Sequence, residues 1–142
     1  MSDPIVVERV IAAPPSVVYE YLTDPSKWAR WQGVGVELEP RPGGALAIAM
    51  PNGATAGGRF VELVPNRSVV FTWGWEEHPE LPPGASTVEI ELRPEGSGTR
   101  LRLTHRGLPA EEVGIHTEGW NRYIARLGIA AEGGEPEPDS AP

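Results

Sequence analysis

The stretch FTWGWEEHPELPPGASTVEIEL, residues 71–92, contains the pattern that most strongly determines the fold. Phe71, Trp73 and Trp75 stand at every second position of its first part. After a loop rich in proline and glycine, the same spacing returns with aliphatic residues: Val88, Ile90 and Leu92. Because successive side chains of a strand point to opposite faces, the stretch predicts two neighbouring strands that share one apolar face. The three aromatic side chains either fill a core or line a pocket for a flat, apolar ligand.

Further alternating segments surround this stretch, and turn-forming residues separate them. Proline, glycine and asparagine recur in the breaks EPRPGG, PNG, VPN and PEGSG. Six strands are predicted after Gly33, at residues 34–39, 45–50, 56–64, 68–76, 86–93 and 99–106. Short connections between consecutive strands favour an antiparallel meander.

The residues on either side of the meander predict one more strand and three helices. β-branched residues at 5–13 indicate a first strand, and two short helices follow, beginning near Pro15 and Pro25. A helical stripe returns between Pro109 and Ala131: His116, Trp120, Tyr123, Ile124, Leu127 and Ala131. This long helix is the one large apolar cover available to the sheet. We therefore predict an α+β fold in which a curved antiparallel sheet wraps around the C-terminal helix.

The composition indicates one globular domain followed by an acidic tail. A chain of 142 residues with 39% hydrophobic and 23% charged residues fits a single domain, assigned to residues 1–131. The remaining residues, 132–142, have the composition of a disordered segment. They contain no base and four acids: Glu132, Glu135, Glu137 and Asp139.

Charge and cysteine content exclude several classes of function. The formal net charge is −8, and the body stays acidic without the tail, which disfavours nucleic-acid and anionic-lipid partners. The absence of cysteine excludes disulfides and thiolate metal sites. The N-terminal residues do not have the pattern of a secretion signal, and no apolar window is long enough to span a bilayer. We expect a cytoplasmic protein without membrane insertion.

The alternation also predicts which side chains meet the long helix. His105 ends the inward set of the last strand, and His116 lies one helical turn before Trp120. We predict one concave ligand cavity lined by Phe71, Trp73, Trp75, His105, His116, Trp120 and Tyr123. Each position has a structural alternative, because aromatic residues also suit a filled core and histidines also suit hydrogen-bonded core positions. In a cavity, a histidine would bond a ligand's oxygen or act as a general base.

Other aromatic and histidine positions carry weaker signals. Trp28 and Trp31 either close a small core beneath the second short helix or guard the cavity mouth. His78 lies in a proline-rich loop and is predicted to be exposed. The three histidines have no compact ligand spacing, so no metal site is predicted. No phosphate loop or dinucleotide fingerprint occurs, so no cofactor is predicted.

Four stretches together resemble a known superfamily: ERVIAAPPSVVYEYLTDPSKWARW, GGRFVELVPNRSVVFTWGW, GTRLRLTHRGLP and HTEGWNRYIARL. They are similar to the SRPBCC (START-like, helix-grip) superfamily, in the branch of the C-terminal domain of the activator of heat-shock protein 90 ATPase. The resemblance covers about residues 5–127. It implies a helix-grip fold with a deep cavity between helix and sheet, of the kind that takes lipids, polyketides and other hydrophobic molecules.

Three functions fit these observations. The first, which we favour, is binding of a small hydrophobic ligand, aromatic or acyl. The second is an enzyme of the polyketide cyclase or hydratase type, with His105 or His116 as base; the family supplies no agreed catalytic residue. The third is a protein-interaction domain resembling the chaperone activator. The eukaryotic activator also has an N-terminal domain that binds the chaperone. We expect no counterpart of it here and therefore no chaperone contact; a homodimer is left open.

Overall fold

Seven strands and three helices make up the computed structural model, which describes residues 3–140. The strands are β1 (Ile5–Ile11), β2 (Gly35–Leu38), β3 (Ala45–Ala49), β4 (Thr55–Val64), β5 (Ser68–Trp75), β6 (Ser86–Glu95) and β7 (Gly98–Arg106). The helices are α1 (Pro15–Tyr21), α2 (Pro25–Trp28) and α3 (Ala110–Ala131). The sheet order is β1-β7-β6-β5-β4-β3-β2, and all neighbours are antiparallel. The predicted α+β fold, with an antiparallel meander and a long C-terminal helix, is confirmed.

The register of the central strands brings the apolar positions onto one face. Phe71 of β5 pairs with Phe60 of β4 and with Val88 of β6. Val88 in turn pairs with His105 of β7. All four side chains are buried, with at most 1% of any residue's surface exposed. The alternation therefore assigned the inner face of these strands correctly.

Helix α3 covers this apolar face and packs closely against β1. At Gly128, a Cβ atom would lie 2.9 Å from Arg9 Nε. The buried side of α3 contains the predicted stripe: His116, Trp120, Tyr123, Ile124, Leu127 and Ala131. No helix within residues 3–140 combines the length and apolar character that a bilayer crossing requires.

The short helices close the core at one end of the sheet. Asp24 caps α2 by accepting hydrogen bonds from the backbone of Ser26 and Lys27. Trp28 and Trp31 are both fully buried, with ring centroids 4.8 Å apart. Of the two alternatives for this pair, the structure supports the core position.

Gly74, between the two tryptophans of β5, lets the following loop fold back over the strand. A Cβ atom at Gly74 would lie 1.8 Å from the carbonyl oxygen of Pro82. The backbone N–H of Trp75 donates to the carbonyl of Leu81 over 2.8 Å, and Leu81 is fully buried. Only a glycine leaves room for this loop on the outer side of the aromatic strand.

The acidic segment after α3 lies against the domain in its described part, 132–140. It forms no helix or strand there, but Glu132 accepts a hydrogen bond from the backbone of Ala12 over 2.9 Å. The Arg126 guanidinium donates to the carbonyl of Glu137 over 2.6 Å, and the side chain of Asp139 is only 2% exposed. The composition predicted a disordered tail. These contacts could not be predicted from it, because composition does not show where a segment docks. Its mobility in solution stays a prediction, and residues 141–142 lie outside the described range.

Candidate functional site

A cavity of about 250 Å³ lies between α3 and the end of β5. Its walls are mainly aromatic on one side and polar at the rim. The lining residues are Gln32, Met50, Asn52, Trp73, Trp75, Ile115, His116, Glu118, Gly119, Trp120, Arg122 and Tyr123. A dry cavity of about 150 Å³ already holds benzene, so this space suits a somewhat larger apolar molecule.

Five of the seven predicted site residues line this cavity: Trp73, Trp75, His116, Trp120 and Tyr123. The other two, Phe71 and His105, lie behind its wall. Phe71 is fully buried among aromatic rings, with centroids 5.7 Å from Trp28 and 6.1 Å from Trp73. His105 lies behind Trp120, 6.1 Å between ring centroids. Strand alternation gives the face of a residue but not its depth, so it did not separate these two residues from those of the wall.

Two tryptophans of the wall are fixed by buried histidines. The Trp75 indole N–H donates to His116 Nε2 over 3.0 Å, and His116 Nδ1 donates to the Glu112 carbonyl over 2.8 Å. The Trp120 indole N–H donates to His105 Nδ1 over 2.9 Å. Both histidines are therefore neutral acceptors for an indole, with defined tautomers.

The second nitrogen of His105 continues the network beneath the wall. His105 Nε2 donates to Ser86 Oγ over 2.8 Å, and that hydroxyl donates to the Trp73 carbonyl over 2.7 Å. Burial, together with the nearby His116, lowers the pKa of His105 to about 3. Burial also lowers the pKa of His116. Because an indole N–H occupies the free lone pair of each ring, neither histidine is placed to take a proton from a ligand.

Trp73 contributes an unused hydrogen-bond donor to the same region. It is 1% exposed, and its Nε1 is the one buried side-chain nitrogen or oxygen without a hydrogen-bond partner among the described residues. A buried donor without an acceptor costs roughly 1–3 kcal/mol. Such a cost is offset when a bound molecule supplies an oxygen.

The loop over Gly74 is tied to α3 beside the cavity. His78 Nε2 lies 3.3 Å from a carboxylate oxygen of Glu112, and His78 Nδ1 accepts the backbone N–H of Leu81 over 3.1 Å. The His78 side chain is only 30% exposed, so its prediction as an exposed loop residue is corrected by these contacts.

Gly119 leaves the cavity open on the helix side. A Cβ atom built at Gly119 would meet no heavy atom within 4 Å, and the same is true of Gly114, which does not line the cavity. Each glycine inside a helix costs roughly 0.5–1 kcal/mol relative to alanine. Glycines inside the predicted helix did not mark the cavity, because Gly114 is equally open and does not line it, and the loop residue Asn52 carried no local signal either.

Tyr123, at one end of the cavity, contacts the segment after α3. Its hydroxyl donates to a carboxylate oxygen of Asp139 over 2.9 Å. Burial, and then the hydrogen bond to Asp139, raises the pKa of Tyr123 to about 12, so the hydroxyl keeps its proton. Within residues 3–140, no group of three histidine, aspartate or glutamate side chains is close enough to hold a metal ion.

Comparison with known proteins identifies a family. The family model described as "Activator of Hsp90 ATPase homolog 1-like protein" matches residues 12–132. The Homo sapiens activator of 90 kDa heat shock protein ATPase homolog 1 is 25% identical over 119 residues, covering 84% of this chain and 34% of that protein. The chain thus spans about a third of the length of the curated relatives it matches.

Two solved structures have the same fold. A protein from Chromobacterium violaceum is 28% identical, with a TM-score of 0.78, over 93% of this chain and 99% of that one. The Aha1 dimer from Colwellia psychrerythraea is 18% identical, with a TM-score of 0.84, over 95% of this chain and 100% of that one. At that identity, the second likeness concerns the fold alone.

Proposed function

The chain belongs to the Activator of Hsp90 ATPase homolog 1-like family, within the SRPBCC superfamily, and we propose that it binds a small hydrophobic molecule between α3 and β5. The ligand is aromatic or acyl and contacts the indoles of Trp73, Trp75 and Trp120. The protein acts as a cytoplasmic binding protein of one domain.

The observation that carries this proposal is an apolar cavity that the chain leaves unfilled. Gly119 lies in the middle of a 22-residue helix, where a side chain would fit without a steric clash. An alanine there would favour the helix and fill part of the space. Gly119 leaves that space open to a ligand.

The wall offers a ligand aromatic surfaces. Trp73 and Trp75 are perpendicular neighbours, 5.6 Å between ring centroids and 84° between planes. Rings arranged in this way contact a flat molecule with the face of one ring and the edge of the other.

Binding is favoured over the cyclase or hydratase alternative by the state of the two histidines. An enzyme of that type needs a base with an available lone pair in the cavity. His116 is the histidine of the cavity wall, and its acceptor nitrogen already receives the Trp75 N–H.

A second candidate is a contact with a chaperone, which the printed name of the human relative suggests. That protein is about three times as long as the matched region, so the likeness does not extend to its whole activity. The homodimer stays a prediction; the Colwellia psychrerythraea structure is a dimer with the same fold.

Filling the cavity from the helix side tests the proposal. Gly119→Met should reduce the affinity for 2-naphthol or 1-octanol by about tenfold or more, measured by titration calorimetry, because its side chain occupies the ligand's space. Gly114→Met is the matched control on the exposed part of α3 and should bind like wild type.

Equal affinities in both variants, or no binding of either compound to wild type, would contradict the proposal. Retained contact with a purified Hsp90 chaperone by both variants, without binding of either compound, would favour the second candidate.

A further inference from the structure

The segment after α3 places a carboxylate in a polar corner beside the cavity. Asp139 Oδ2 accepts the backbone N–H of Gly33 over 2.8 Å and the Tyr123 hydroxyl over 2.9 Å. Asp139 Oδ1 accepts the same hydroxyl over 3.1 Å and Arg122 Nη2 over 3.3 Å. Among residues 3–140, three different donors, one of them cationic, therefore point at this carboxylate.

This corner is built by the domain and not by the tail. Gly33 has a φ of 84°, and a Cβ atom there would lie 2.6 Å from Ile48 Cγ2. The turn thus requires glycine, and it directs its N–H toward Asp139. The Asp139 side chain is 2% exposed, and a buried carboxylate is tolerated only when donors replace its water.

The corner is continuous with the cavity. Arg122 and Tyr123 both line the cavity and both bond to Asp139. The Tyr123 hydroxyl also lies 4.0 Å from the sulfur of Met50, another lining residue. A molecule in the cavity therefore reaches the same donors once the tail withdraws.

We propose that this corner is the carboxylate-binding end of the ligand cavity and that Asp139 is a tethered occupant, which an incoming apolar carboxylic acid displaces. The inference rests on the proposed function and names the ligand class: an aromatic or acyl body in the cavity, with its acid group on Gly33, Arg122 and Tyr123. The tail then acts as a competitor for the site.

The chemistry of the corner selects a carboxylate over a neutral group. Arg122 supplies a positive charge, and its guanidinium also lies 5.2 Å from the Tyr123 ring centroid. Hydrogen bonds from a cation or a backbone N–H to an ionised acceptor are about twice as strong as neutral ones. A carboxamide of the same shape has one acceptor oxygen, so it would accept only part of these hydrogen bonds. Its NH₂ group would face donors and could not bond to them.

Competition by a tethered group has a measurable consequence. The apparent dissociation constant equals the intrinsic one divided by the fraction of molecules with an empty corner. If Asp139 occupies the corner at least nine-tenths of the time, its removal strengthens binding of an acid about tenfold or more.

The test compares 2-naphthoate with 2-naphthamide, by titration calorimetry, on wild type, Asp139→Ala and Glu135→Ala. Glu135→Ala removes the same charge from an exposed position of the same segment. Asp139→Ala should bind 2-naphthoate at least about tenfold more tightly than wild type, while its affinity for 2-naphthamide changes less than about threefold. Glu135→Ala should match wild type for both compounds. Adding Tyr123→Phe to Asp139→Ala should reverse most of the gain for the acid.

Three results would overturn the inference. An equal gain for acid and amide means that the tail only obstructs the cavity. An affinity of Asp139→Ala for 2-naphthoate equal to that of wild type means that the corner binds only the tail and no ligand. Binding of neither compound to any variant, with no binding of 2-naphthol to wild type, means that the proposed ligand function has failed together with the inference.

Discussion

Trp73 belongs both to the core and to the cavity wall. Its ring lies 5.1 Å from Trp120 and 6.1 Å from Phe71 between centroids, and it is 1% exposed. One side of this cluster packs against the core, and the other borders the cavity. The alternating aromatic residues therefore have different roles: Phe71 fills the core and Trp75 borders the cavity.

The buried histidines predict a loss of stability in acid. The folded pKa of His105 is about 3, against a usual value of 6.5, so below pH 6.5 the unfolded chain takes up a proton that the folded protein refuses. The contribution of His105 to the free energy of unfolding is therefore fully present above pH 6.5 and is lost as the pH falls toward 3. Each pH unit between about 6 and 4 should lower the free energy of unfolding by about 1.4 kcal/mol for this residue.

Urea unfolding of two variants across this pH range isolates the effect. His105→Gln should be less stable at neutral pH but should have a shallower slope, by about 1.4 kcal/mol per pH unit. Gly119→Ala, which changes no titratable group, should retain the wild-type slope. Parallel slopes for wild type and His105→Gln would show that His105 titrates normally and is not held neutral.

For individual residues, the sequence predicted well which side chains share a face of the sheet or helix. It predicted less well which side chains line a cavity. Trp73, Trp75 and Trp120 lie on the faces that the period-2 and helical patterns predict, because those patterns are local. The depth of His105 depends on Trp120 covering it, which is a tertiary contact. Met50 and Asn52 end a strand and begin a turn, and no local pattern directs such residues toward a site.

Among the elements, the pairing of β5 with the loop that follows it depends on Gly74. Gly74→Ala places a Cβ atom against the backbone of Pro82, so strand and loop must separate. We expect a loss of about 1–3 kcal/mol in the free energy of unfolding. Gly119→Ala is the control, because its Cβ atom meets open space. It should raise the free energy of unfolding by roughly 0.5–1 kcal/mol. Similar effects of the two substitutions in urea unfolding would contradict the close approach of loop and strand.

The order and type of the elements could be predicted from sequence, but some of their contacts could not. Turn residues and alternation gave the strands of the meander, with ends within about two residues of those observed. The pairing of β1 with β7, the first strand with the last, follows from no local signal. The contacts of Asp139 were also hidden, because an acidic segment rich in proline and glycine has no periodicity that reports docking.

At the scale of the molecule, a small acidic domain holds an apolar cavity between one helix and one sheet. The wall is fixed by hydrogen bonds from Trp75 to His116 and from Trp120 to His105. A wall held in this way changes little when a ligand enters, which lowers the ordering cost of binding. The central claim is therefore that the cavity binds a ligand while the rest of the fold stays as it is.

The indole N–H signals of the five tryptophans test this claim most directly. In a nuclear magnetic resonance titration of the wild-type protein with 2-naphthol, the signals of Trp73, Trp75 and Trp120 should shift and saturate. Trp31, whose indole N–H donates to the Tyr21 carbonyl over 3.0 Å outside the cavity wall, is the internal control and should stay unchanged. The absence of a saturable shift at Trp73 and Trp75 up to the solubility limit of the compound, or an equal shift of Trp31, would contradict the account.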